Sequence, residues 1–118
     1  MQIHQSAEDY LETILMLNQR MGRVRSIDVV NELGYTKASV SIAMKKLREN
    51  GYIAVDGEGN LTLLEPGREI AERIYSRHRL LTHFFVQLGV EEDIAAEDAC
   101  KAEHILSEQT LEKIREYA

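Results

Sequence analysis

The chain has 118 residues, 44% hydrophobic and 29% charged, with 14 Lys and Arg against 20 Asp and Glu for a net charge of −6. These proportions fit one folded domain, or two small ones sharing a core, and exclude a disordered chain. No apolar run approaches the roughly 18–20 residues of a membrane span, and Met1-Gln2-Ile3-His4-Gln5 has neither part of a signal peptide, so a cytoplasmic protein off the membrane is expected.

Cys100 is the single cysteine, so no internal disulfide can form. The charge is unevenly spread. Residues 20–50 carry a local +4, whereas residues 51–118 carry −7. A basic third between acidic ones suits a domain that meets a phosphate backbone with one face.

From Ser6 to Met21, Ala7, Leu11, Ile14, Leu15 and Leu17 recur near helical spacing, with Ser6 as the expected N-cap and Gly22 as the stop. Asp9 and Glu12, three apart, share one face of this helix. Taken alone they suit a solvated acidic first turn favoured by the helix dipole. Ser26 is expected to cap a short helix over 27–33 with Ile27, Val30 and Leu33 inward, and Gly34-Tyr35 makes a turn. Thr36 caps the next helix, over 37–50, with Val40, Ala43 and Leu47 as its buried stripe. Two short helices about a glycine turn form a helix-turn-helix.

The second helix leaves small polar and basic residues outside that stripe, as a base-edge and phosphate reader requires. A solvated helix surface is the plain alternative. Arg25, Ser26, Thr36, Lys37, Ala38, Ser39, Ser41, Lys45 and Lys46 are the expected DNA-contacting set.

Residues 52–55 and 61–64 are β-prone runs around Asp56-Gly57-Glu58-Gly59-Asn60, whose glycines and Asn are expected to supply positive φ angles. A two-stranded wing after a helix-turn-helix predicts a winged helix. Glu65-Pro66-Gly67 then opens a long helix to about Leu88 with Ile70, Ile74, Leu81, Phe84 and Phe85 as its stripe, and it carries His78 and His83. A further helix is expected from Val90 to Leu106, and Ser107 caps a last one ending near Tyr117. On the former, Cys100, Glu103 and His104 stand at i, i+3 and i+4, on one helical face, each a good ligand for a divalent transition metal.

The winged helix, Tyr75-Ser76-Arg77-His78-Arg79-Leu80-Leu81 and the run from Glu97 through Cys100, Glu103 and His104 to Ser107 together resemble the metal-dependent repressors typified by diphtheria toxin repressor and the manganese transport regulator. The opening Ser6-Ala7-Glu8-Asp9-Tyr10-Leu11-Glu12 is similar to that family's first helix. The resemblance covers essentially the whole chain. It implies a mainly α fold in which residues 1–64 form a winged-helix DNA-binding domain and residues 65–118 a helical metal-binding and dimerisation domain.

The resemblance further implies that Asp9, Glu12, His78, Cys100, Glu103 and His104 are metal ligands. Cys100 stands where manganese-type members carry Glu and iron-type members carry Cys. Asp9 stands where iron-type members carry Met, so the chain is a hybrid of the two branches. Ancillary iron-type ligands are replaced by Thr82 and Ala96, and the length matches the short form without an SH3-like domain. The implied function is a homodimeric repressor of metal-uptake genes that binds duplex operator DNA when Fe2+, or next Mn2+, is bound. Neither enzymatic activity nor an organic cofactor is expected. The alternative is a winged-helix regulator answering to an organic ligand or to oxidation of Cys100.

Overall fold

The computed structural model describes residues 5–118; the leader reading of Met1 to His4 lies outside them. Elements run in the order α1 (Gln5–Met21), α2 (Ser26–Leu33), α3 (Lys37–Glu49), β1 (Ile53–Val55), β2 (Leu61–Leu63), α4 (Glu65–Gln87), α5 (Glu92–Ala102) and α6 (Glu108–Tyr117). The chain divides into two compact units, Met1–Glu72 and Arg73–Ala118. α4 starts in the first and ends in the second.

In the first unit α1 packs on α2, α3 and β2, and α3 packs on β1. Its buried side chains include Leu11, Ile14, Val24, Val29, Val40, Leu47, Ile53 and Leu61. Burial of each such side chain is worth about 1.5–3 kcal/mol. α1 already runs at Gln5, so Ser6 lies inside the helix and not at its cap. α2 also starts one residue early. Arg25, not Ser26, is its N-cap, fixed by a bridge to Asn60 beside β2 and by its backbone N–H, which donates to Asp28 at 2.8 Å. The inward line therefore passes through Val29, and Ile27 is 43% exposed.

Thr36 does cap α3, accepting the Ser39 N–H at 3.1 Å. The α3 stripe is Val40, Met44 and Leu47, with Ala43 half-buried at its margin. β1 and β2 pair antiparallel, Ile53 with Leu63, Ala54 with Thr62 and Val55 with Leu61. In the connecting loop Gly59 has φ +83°, but neither Gly57 nor Asn60 takes the positive φ expected of it. Instead the Asn60 backbone N–H and side-chain amide both donate to Asp56, at 2.9 and 3.0 Å.

α4 leaves the wing under a tight steric limit. A Cβ on Gly67 would sit 2.2 Å from the Tyr52 carbonyl oxygen and 3.3 Å from Leu11 Cδ2, so only glycine lets the helix start pass this close to the chain entering β1.

The second unit is built on buried Leu81, Ala99 and Leu111, with Leu80, Phe85, Ala102, Leu106 and Ile114 packed against them. α5 stops at Ala102, short of the expected Leu106. The chain tightens there, Ile105 N–H bonding Ala102 at 3.1 Å, because Ser107 must be extended (φ −71°, ψ 159°) to cap α6 through the Thr110 N–H.

Candidate metal centre and nucleic-acid interface

The early end of α5 changes the geometry of the residues there that are expected to ligate metal. Glu103 is the helix C-cap, still in helical conformation with its N–H bonded to the Ala99 carbonyl at 2.9 Å, and His104 lies in the turn beyond it. Ala95, Ala99 and Glu103, spaced by four, are all buried. The inward line of α5 thus carries Glu103 into the protein, while Cys100, one residue past Ala99, is exposed.

Glu103 is fully buried, and two imidazoles face it from either side. His78 on α4 places Nδ1 3.0 Å from Glu103 Oε2, and His104 places Nε2 3.4 Å from Oε1. The His104 side chain is only 1% exposed and that of His78 20%. Removing a carboxylate from water costs several kcal/mol unless charge or donors compensate it.

Arg77, which sequence reading passed over, braces the same turn. Its Nη1 donates to the Glu103 carbonyl at 3.2 Å, and its Nη2 pairs with Glu108 at the start of α6. The signal for it was its place directly before His78: one α4 residue points a donor fork where its neighbour points an imidazole. Thr82 donates its hydroxyl to the His78 carbonyl at 2.7 Å, one turn along α4.

In the first unit, Asp9 is half-buried and Glu12 is 5% exposed on α1. A solvated first turn therefore does not describe Glu12. Between them Tyr10 packs edge-on against Tyr35, ring centroids 5.9 Å apart. Its hydroxyl is held above the usual tyrosine value by burial, with Tyr35 and Asp9 adding to the shift. Imidazole nitrogen and carboxylate oxygen are the donors that first-row divalent ions accept. The buried carboxylate with imidazoles on both its oxygens fits such an ion.

Thr36, Lys37, Ala38, Ser39, Ser41, Lys45 and Lys46 are exposed along α3, opposite its buried stripe. Arg25 is exposed and Ser26 half-buried at the start of α2. Ser26, Ser41, Lys45 and Arg48 share one concavity with Ile42, Met44 and Val55. Arg48 and Ile42 are the members of this face that the sequence did not single out. Arg48 was legible as one more base in the basic third, and Ile42 was masked by reading outward positions as polar.

Residues 2–61 match the family described as iron dependent repressor, N-terminal DNA binding domain, and residues 64–118 match iron dependent repressor, metal binding and dimerisation domain. An HTH-type transcriptional regulator of Methanocaldococcus jannaschii is 35% identical over 113 residues, which cover 94% of this chain and 90% of that protein. The HTH-type transcriptional regulator MntR of Lysinibacillus sphaericus is 32% identical over 109 residues, covering 92% and 78%. Among solved structures, a manganese-dependent transcriptional repressor in complex with manganese matches at TM-score 0.83 and 30% identity, over 92% of this chain and 50% of that one. The manganese regulator SloR matches at TM-score 0.81 and 25% identity, over 99% and 54%. The chain thus spans about half the length of these solved relatives. Among the described residues no helix is long and apolar enough to cross a membrane. With both halves matched by the family's two domains, the chain belongs to the iron- and manganese-dependent transcriptional repressors.

Proposed function

We propose that this chain is a cytoplasmic, non-enzymatic, metal-activated repressor that binds operator DNA as a homodimer. The observation that carries the reading is the buried Glu103 carboxylate faced by His78 and His104, in a chain whose relatives include a repressor solved with manganese. In this reading residues 1–64 read DNA, and residues 65–118 bind metal and dimerise. The proposed ligands are Asp9, Glu12, His78, Glu103 and His104, with Cys100 as a sixth.

A bound divalent ion supplies the positive charge that lets several carboxylates converge. Its ligands come from α1, ahead of the reading helix in the chain, and from residues after the wing. Loading the site therefore restrains the reading half, and in a dimer sets two copies of α3 for half-sites about one DNA turn, ~34 Å, apart. Such coupling is typically worth ~1–3 kcal/mol, or roughly 5- to 150-fold in operator affinity.

The metal is Fe2+ or Mn2+. A thiolate from Cys100 draws the site toward iron, whereas nitrogen and oxygen donors alone serve manganese equally well. Anaerobic titration of Fe2+, Mn2+, Zn2+ and Co2+ against the wild type and Cys100→Glu tests this. A shift of the response from iron toward manganese supports Cys100 as a ligand, and unchanged selectivity removes it from the set.

A further inference from the structure

α3 turns Val40, Met44 and Leu47 inward and presents a face of hydroxyls and lysines outward. In the middle of that outward face stands one large apolar side chain, Ile42, 57% exposed. Its helical neighbours at i−4, i−3, i+3 and i+4 are Ala38, Ser39, Lys45 and Lys46. Ile42 lines a concavity whose floor is apolar, with Met44 and Val55, and whose remaining members Ser26, Ser41, Lys45 and Arg48 are donors suited to phosphates. An apolar contact ringed by cationic donors selects a partner that is polyanionic at its rim and apolar at one point within. In a duplex major groove that point is the C5-methyl of thymine. Ile42 also sits in the N-terminal half of α3, where recognition helices reach base edges.

We propose that Ile42 is a specificity-determining residue that packs against a thymine methyl, fixing an A·T pair at one position of each operator half-site. The proposal rests on the operator-binding reading above and adds to it the identity of one base. Lys45, Lys46 and Arg48 hold the flanking phosphates and carry affinity without sequence information. The side chain is largely in solvent and outside the buried stripe, so its replacement leaves the fold intact.

The test selects bound duplexes from a random pool with the full chain and Mn2+, then replaces each thymine of the selected site singly by deoxyuridine, which lacks only the methyl. The wild type should lose about fourfold in affinity at one thymine per half-site, the worth of burying one methyl-sized group. Ile42→Ser, with an unchanged melting temperature, should be indifferent to uridine at that same position. If no thymine matters to the wild type, or if Ile42→Ser keeps the same sensitivity, the proposal is wrong while the operator reading stands. If no duplex is enriched at all, the operator reading falls and this one with it.

Discussion

Glu103 reaches the interior because α5 buries every fourth residue, Ala95, Ala99 and then the carboxylate. Its two imidazole partners make it the proposed ligand whose loss should be felt most. Glu103→Gln is expected to abolish the rise in melting temperature that Mn2+ or Fe2+ gives the wild type by mass action, while leaving the metal-free protein folded. Glu12→Gln is expected to weaken metal binding by more than tenfold, measured by calorimetric titration. An unchanged affinity would remove α1 from the ligand set.

Gly67 is a residue-scale constraint of another kind. Gly67→Ala forces the start of α4 away from the Tyr52 carbonyl, and a loss of about 1–3 kcal/mol of stability is expected in urea unfolding. None of this was visible in Glu65-Pro66-Gly67 as text, where the glycine reads only as part of a helix start. A close approach is a property of two segments, and the sequence exhibits one at a time.

At the scale of elements, the turn that carries Glu103 and His104 is braced by Arg77, which joins the Glu103 carbonyl to Glu108 on α6. Arg77→Ala is expected to lower metal affinity roughly 10- to 100-fold, as loss of outer partners of a metal ligand does. Arg77→Lys should recover part of this, since it keeps the charge facing Glu108 but not the two-pronged contact.

The wing has its own acid-sensitive fastening. Asp56 accepts the backbone N–H groups of Glu58 and Asn60 and the Asn60 side-chain amide. The Asn60 side chain, followed by its backbone N–H, holds this carboxyl below its ordinary value of 3.8. A carboxyl depressed in the folded state stabilises above its unfolded value and loses that contribution as pH falls through the folded one. Protection of the Glu58 and Asn60 amides, taken relative to their intrinsic exchange rates, should therefore hold from neutral pH down through the usual carboxylate range and fall only in stronger acid. Asp56→Ala should lack that protection throughout.

Helix order, the Thr36 cap and the hairpin were legible because each rests on local spacing and capping chemistry. The ends of α2 and α5 were not. Arg25 is held by Asn60, thirty-five residues away, and α5 is cut short by the extended cap of the helix after it. Of the ligand residues, spacing alone gave Cys100, Glu103 and His104 as a trio. The structure buries the acid and leaves the thiol exposed, a difference that the i, i+3, i+4 pattern could not register.

For the whole molecule, a net charge of −6 hides a basic third, residues 20–50, whose bases lie ahead of α2 and along α3. Operator affinity should accordingly fall with salt in proportion to the phosphates neutralised, and Lys46→Ala should reduce the slope of log affinity against log salt by about 1. In the proposed function metal occupancy and operator binding are one linked equilibrium. That linkage is tested most directly by measuring affinity for a selected duplex in chelator and again across rising Mn2+ and, anaerobically, Fe2+. A saturable tightening of roughly 5- to 150-fold is expected, and it should be absent in Glu103→Gln. Equal affinity in chelator and in excess of either metal would contradict it.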